Sequence, residues 1–151
     1  MDFSLSTCIP EDVSWGNEQE MSYEKNLCIT MYDTINGKTQ SVAYALIGEC
    51  KDGFYLDGIS VTKIHNILSW VEVKPEYRNK KYGTHLVCYI RDMYMNKKSP
   101  ICLLAYKTSH DRSSFYYQLG AIFLLDENSS ENLVMAFMDV DQIKEYYPEE
   151  R

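Results

Sequence analysis

Val71-Glu72-Val73-Lys74-Pro75-Glu76-Tyr77-Arg78-Asn79-Lys80-Lys81-Tyr82-Gly83-Thr84-His85-Leu86 is where this chain changes from strand to helix. Branched residues run up to Val73, and Pro75 stops them, as at a strand end. Beyond Gly83 the apolar residues change period. Leu86, Tyr89, Ile90 and Met93 recur at helical spacing and predict a helix from about Thr84 to Asn96. Between the two lies a turn rich in Arg, Lys and Asn. A helix start offers unpaired N–H groups and a partial positive charge. Gly83 has no Cβ and lets a bulky anion reach the backbone. Arg78, Lys80 and Lys81 add donors and charge. These residues predict a turn that binds a phosphate or diphosphate. It is neither a P-loop nor a dinucleotide fingerprint, because G-x-x-x-x-G-K-S/T and G-x-G-x-x-G are both absent.

Upstream of this turn, Ile67 to Val73 reads as a strand. Leu27 to Tyr32 and Ser41 to Ile47 read as two more, joined through Asn36-Gly37, a strong hairpin signal. Phe3 to Ile9 is a short first strand. Glu11 to Asn26 is polar and reads as helical turns with loop. Phe54 to Val61 is extended, with a bulge or turn at Asp57-Gly58. Downstream, Ile101 to Tyr106 is a strand, and Ser109 caps a helix running to Leu119 and ending at Gly120. Ile122 to Leu125 and Leu133 to Val140 are the last strands, joined by the 126 to 131 loop. Strands followed by a strand-helix-strand unit predict a mixed α+β fold.

The 151 residues suit one domain spanning 1–151. A net charge of −7 argues against direct nucleic-acid binding and favours a cationic partner such as an amine. Against that background the cluster Lys74, Arg78, Lys80 and Lys81 stands out as an anion site. The five cysteines are spread out and form no C-x-x-C pair, which points to reduced thiols in the cytoplasm and to no metal site. No basic-then-apolar leader opens the chain, and no apolar run is long enough to span a membrane.

The run from Val71 to Leu86 resembles motif A of the GNAT superfamily of acyl-CoA-dependent N-acyltransferases, V-x-V-x-P-x-x-R/Q-x-x-G-x-G/A-x-x-L. Arg78, Gly83 and Leu86 fit, and Lys81 stands where the family usually has glycine. Ser109 to Ala121 resembles the family's N-x-x-A-x-x-F/L/Y-Y-x-x-L-G-F segment through Phe115, Tyr116, Leu119 and Gly120, with Ser109 replacing asparagine and Ala121 phenylalanine. The resemblance covers roughly residues 39 to 140. It implies a central, mostly antiparallel twisted sheet of six to seven strands flanked by helices. It also implies a splayed strand pair at the coenzyme A site, and acetyl-CoA as donor substrate.

On that resemblance the cofactor-binding residues are Val71, Glu72, Val73, Arg78, Asn79, Lys80, Lys81, Tyr82, Gly83, Thr84, Ser109 and Tyr116, with the backbone of 71–73 holding the pantetheine arm. Tyr116 matches the tyrosine that protonates the departing thiolate; a phenol with a pKa of about 10 serves as an acid at neutral pH. The family's carboxylate base falls near Ile67, which cannot serve. His65, two residues earlier, and Glu72, on the opposite face from Val71 and Val73, are the substitutes, with a water relay equal to either. His85 and His110 carry no partner pattern. The expected reaction is acetyl transfer to a primary amine: a small polyamine-like molecule, an antibiotic, a peptide N-terminus or a lysine. The competing expectation is a non-catalytic acyl-CoA-binding module. The short segment 11 to 26 leaves little room for acceptor-side helices, which implies an open acceptor site or one completed by a second subunit in a homodimer. Tyr146-Tyr147-Pro148 or the 126 to 131 loop could border it.

Overall fold

The computed structural model describes residues 2–6, 23–56, 59–106, 112–124, 132–139 and 141. Besides a 3-10 turn at Pro75–Tyr77, the described elements are nine strands and two helices. In chain order they are β1 (Asp2–Ser6), β2 (Lys25–Ile35), β3 (Lys38–Glu49), β4 (Phe54–Leu56), β5 (Ile59–Val61), β6 (Asn66–Val73), α1 (Tyr82–Asn96), β7 (Ile101–Tyr106), α2 (Arg112–Gln118), β8 (Ile122–Phe123) and β9 (Asn132–Phe137). Seven strands form one sheet in the order β1-β2-β3-β6-β7-β9-β8, and β4 pairs with β5 as a separate hairpin.

Every neighbour in the large sheet is antiparallel except β6 and β7. A parallel pair needs a crossover, and α1 supplies it. Asn36 and Gly37 join β2 to β3 with φ of 53° and 80°, the double left-handed geometry of a tight hairpin turn. α1 turns Leu86, Val87, Ile90 and Tyr94 onto one face of the sheet, against Ala43, Ala45, Ile47, Leu68, Leu103 and Phe137. Leu86, Val87 and Ile90 are wholly buried, each worth about 1.5–3 kcal/mol of removal from water. Phe54 and Leu56 of the β4–β5 hairpin cover the other face over Ile67, Cys102, Val134 and Ala136. A separate patch on that face holds Cys28, Tyr44 and Leu46, with Trp70 against them.

β6 carries one residue too many for its pairing with β3. Leu46 opposes Trp70, yet Ile47 opposes Leu68, so Ser69 is bulged out of the ladder. Its hydroxyl donates to the Leu46 carbonyl at 3.1 Å and holds the bulge in place.

Several boundaries differ from the sequence expectation. α1 starts at Tyr82 rather than near Thr84. The stretch 54–61 divides into two short strands on either side of 57–58, where the sequence offered a bulge or turn. Lys25 and Asn26, read as part of a polar helical segment, already belong to β2, where cross-strand pairing with Glu49 and Gly48 overrides weak local propensity. Residues 11–22, the 126 to 131 loop, His110 and Tyr146-Tyr147-Pro148 lie outside the described residues.

Candidate functional site

β6 and β7 pair only through Asn66–Ile101, Ile67–Cys102 and Leu68–Leu103. Beyond Leu68, β6 stays paired with β3 as far as Val73. Beyond Leu103, β7 stays paired with β9 as far as Tyr106. The two strands therefore run on from Ser69 and from Leu104 with their facing edges unpaired to each other. This is the splayed pair the sequence resemblance implied. The Ser69 bulge stands at the point of parting, and an extra residue bends the strand that bears it. Unpaired strand edges present N–H and C=O groups to whatever enters the gap.

β6 leads from the gap into the basic turn. Lys74 N–H donates to the Val42 carbonyl at 2.9 Å, and Tyr77 N–H to the Lys74 carbonyl at 2.9 Å, which folds Pro75–Tyr77 into one 3-10 turn. Arg78 donates from Nε to the Val73 carbonyl at 3.1 Å and so lies over the end of β6. Asn79 and Lys81 take left-handed backbone, with φ of 67° and 68°. Lys81 is the N-cap of α1 and supplies no side-chain hydrogen bond, and the first turn holds no acidic residue. The first helical bond there runs from His85 N–H to the Lys81 carbonyl at 3.1 Å. The N–H groups of Tyr82, Gly83 and Thr84 precede it and have no intrahelical acceptor. Together with Arg78, Lys80 and Lys81, all exposed, they gather donors and positive charge at a helix start, the arrangement that suits an anion.

Two residues of this turn have roles the sequence did not reveal. The left-handed N-cap explains why glycine suits position 81 and what Lys81 costs there. The side chain of Tyr82 is buried in the core, and its hydroxyl donates to Asp33 Oδ2 at 2.6 Å. Only its backbone N–H is left for an anion. That bond, ahead of the Thr34 N–H, holds the Asp33 carboxyl below its usual range, and it pushes the Tyr82 phenol up. Extending the 86/90 stripe back by four residues would have found Tyr82 as core. Nothing in the sequence pairs it with Asp33, 49 residues away. At Gly83 an added Cβ would meet only Val73 Cγ2, at 3.5 Å, so the fold itself does not require glycine there.

Val71 and Val73 pack toward α1, while Trp70 packs with Tyr44 and Leu46 on the opposite face. Glu72 accepts a hydrogen bond from Trp70 Nε1 at 3.0 Å. Tyr116 sits on α2, which packs on β7, and is buried in the core cluster on the α1 face, with the Phe115 ring 5.1 Å away. Ser109 lies outside the described residues.

His65 is placed away from the gap. It precedes β6, behind all three β6–β7 pairs, and lies about 10 Å along the chain from Leu68. Its ring Nδ1 is 3.3 Å from the Cys50 carbonyl, in a shallow pocket with Glu24, Glu49 and Lys51. A base for chemistry at the gap is not found there. A concavity of about 620 Å³ is also elsewhere, between Arg91, Met95, Lys98, Leu119 and Asp139 at the far end of α1. No described helix is long and apolar enough to cross a membrane.

No family model matches the sequence, and no curated protein matches it. Solved structures do. A domain from Methanocaldococcus jannaschii superposes with a TM-score of 0.62 at 9% identity, covering 91% of this chain and 99% of that one. The Escherichia coli ribosomal-protein alanine N-acetyltransferase gives 0.54 at 16% identity, covering 91% and 94%. The PaiA N-acetyltransferase of Thermoplasma acidophilum, solved in complex with coenzyme A, gives 0.52 at 16% identity, covering 76% of this chain and 61% of its own length. These likenesses are of fold, and the fold, an α+β sheet of mostly antiparallel strands parted between β6 and β7, is that of the GNAT acetyltransferases.

Proposed function

We propose that the protein transfers an acetyl group from acetyl-CoA to a primary amine. The observation that carries this is the continuity of the gap with the helix start. β6 leaves β7 after Leu68, keeps a free backbone edge through Val71 and Val73, and leads directly into the uncapped N-terminus of α1. A pantetheine arm has amides that suit a strand edge, and a diphosphate suits Gly83, Thr84 and the cations of Arg78, Lys80 and Lys81. The acetyltransferases that share the fold, one of them in complex with coenzyme A, support the same donor.

Acyl transfer needs the thioester carbonyl polarised, the amine neutral and the leaving thiolate protonated. In this proposal backbone N–H groups of β6 polarise the carbonyl, and Tyr116 delivers a proton to the thiolate. Ser109 and Asn79 complete the coenzyme site. The reading places the protein in the cytoplasm, in line with its scattered cysteines, and excludes direct nucleic-acid partners, in line with its acidity. One observation favours a second reading, a non-catalytic acyl-CoA-binding module: Lys81 puts a side chain at the left-handed N-cap where motif A has glycine.

Calorimetric titration with coenzyme A, followed by acetyl transfer assays across a panel of amines, tests both. Tyr116→Phe should lower the transfer rate by about a hundredfold or more, the usual contribution of a general acid, and leave coenzyme affinity within a few-fold. Coenzyme binding with no transfer to any amine supports the binding module. No coenzyme binding overturns both readings.

A further inference from the structure

Tyr116 is carried by a helix of only seven residues, Arg112–Gln118. Two turns of helix are marginal by themselves, so their surroundings must hold them in place. The C-terminal end of α2 is closed by its own backbone. Gly120 N–H donates to the Tyr117 carbonyl at 3.0 Å, and Ala121 N–H to the Tyr116 carbonyl at 3.0 Å, with Gly120 left-handed at φ 107°. This is the Schellman pattern, and it does not reach the Leu119 carbonyl. Arg91 of α1 does. Its Nη1 donates to the Leu119 carbonyl at 2.9 Å, and its Nε donates to Asp92 Oδ1 at 2.8 Å, which fixes the guanidinium fork. The stem passes close to Gly120, where an added Cβ would lie 4.0 Å from Arg91 Cδ. With 28% of its side chain exposed, Arg91 makes this bond partly shielded from water, and a cation at a helix C-terminus also meets the favourable end of the dipole.

Core packing alone does not fix α2 this closely. Tyr116 and Ala121 are buried in the core cluster, with Phe115 and Leu119 against it. Apolar burial is non-directional and sets how deep the helix lies. A charge-assisted hydrogen bond to one carbonyl sets where it stops along its own axis. Arg91 stands on the helix that starts in the basic turn, eight residues beyond Gly83 and about 12 Å along α1. We propose that Arg91 is a positioning residue for acyl transfer, tying the end of α2, and with it Tyr116, to the helix whose start holds the donor's diphosphate; the inference rests on the acetyl-transfer reading above. Tyr116 remains the group that gives its proton to the sulfur as the C–S bond breaks. Arg91 transfers no proton. It keeps the phenol in register with a donor that is anchored at the other end of α1, where a displacement of about 1 Å is enough to cost a large part of the rate.

The test is a double-mutant cycle on acetyl transfer, with acetyl-CoA as donor and n-butylamine, a lysine-containing peptide and a peptide with a free alanine N-terminus as acceptors. Arg91→Met keeps an apolar stem and removes the fork. It should lower kcat at least tenfold and leave KM for acetyl-CoA and Kd for coenzyme A within threefold of wild type, because the start of α1 is untouched. Added to Tyr116→Phe, it should lower kcat by less than twofold further, because the phenol it positions is already gone. A general loss of structure would lower kcat equally in both backgrounds, so a further tenfold fall in the double variant overturns the inference. Wild-type kcat in Arg91→Met also overturns it and leaves the transfer reading standing. Arg91→Lys keeps the charge and one donor, and it decides the matter if the methionine variant does not fold: kcat should fall at least threefold, again with no further fall beside Tyr116→Phe, and wild-type kcat overturns the inference. Failure of the wild-type protein to acetylate any of the three acceptors overturns the transfer reading and this inference together.

Discussion

Replacing Gly83 with alanine, and separately with aspartate, should leave the fold as stable as before or more so while weakening coenzyme binding. Gly83 is the second residue of α1 and is not among the glycines with positive φ. A Cβ there meets Val73 Cγ2 at 3.5 Å, an ordinary contact. Alanine therefore introduces no clash and reduces the backbone freedom lost on folding, worth about 0.5–1 kcal/mol in a helix interior and less near an end. Aspartate places a negative charge in a first turn that has no acidic residue, worth about 0.3–1 kcal/mol against the helix dipole. A diphosphate bound at the same N–H groups experiences the opposite. A carboxylate about 5 Å from one phosphate charge, at an effective dielectric near 20, repels it by about 3 kcal/mol, or roughly a hundredfold in Kd. Thermal unfolding without ligand and calorimetry with coenzyme A measure the two effects. The aspartate variant should melt within a few degrees of wild type or above it and bind coenzyme A about a hundredfold more weakly, with alanine between. Wild-type affinity in the aspartate variant would refute the assignment of this turn to the diphosphate.

Three further outcomes follow from the same turn and the core beneath it. Lys81→Gly relieves a left-handed residue worth about 1–2 kcal/mol, less about 0.5–1 kcal/mol for the greater freedom of unfolded glycine; melting should rise slightly, and a clear fall would show that the Lys81 side chain anchors the turn. Tyr82→Phe removes the hydroxyl that lowers the Asp33 pKa from 3.8. A lowered carboxyl stabilises the fold above that value and loses its effect as pH falls through the folded pKa, so the variant should show less loss of stability below about pH 4 than wild type. The same bond raises the Tyr82 phenol above 10.0, so its contribution is present below pH 10.0 and disappears as pH rises further; identical acid and alkaline melting profiles in the two proteins would count against it. Burial pushes the Cys102 thiol up to about 12, so Cys102→Ala should leave the number of thiols that react quickly with a disulfide reagent at pH 8 unchanged, and the loss of one fast thiol would contradict its burial.

The parts of the molecule legible in the sequence are those set by local chemistry. Pro75, Gly83 and the Leu86/Ile90 spacing marked the strand end, the basic turn and the helix, and Asn36-Gly37 marked the first hairpin, because turn residues act on their own backbone. The parts that were not legible depend on distant partners. Tyr82 looks like one more polar residue in a basic run until β2 brings Asp33 beneath it. His65 shares a parity with Ile67, but parity says nothing about where β6 begins or which of its ends opens. Asp57-Gly58 left a bulge or a turn open within 54–61, and the pairing of β4 with β5 and the packing of Phe54 and Leu56 over Ile67 decide for a hairpin on the far face.

Ser69 shows why the site itself was harder to read than the fold. Up to that residue β6 alternates with Ile67 on the far face and Leu68 toward α1. Continued without a break, the alternation would turn Trp70 and Glu72 toward α1 and send Val71 and Val73 to the other side. The bulge inserts one unpaired residue and reverses the phase, so the valines pack under α1 and Trp70 joins Tyr44 and Leu46 on the far face. The strand also parts from β7 at this point. A single extra residue thus coincides with the parting of the two strands and puts Glu72, held by the Trp70 indole, on the far face with Tyr44 and Leu46. A run with apolar residues at both parities, such as Ile67, Leu68, Trp70, Val71 and Val73, hides such a change of phase, because either face could accept most of its side chains. The same reversal separates charge: Arg78, Lys80 and Lys81 gather at the start of α1, and Glu72 shares the far face with Trp70.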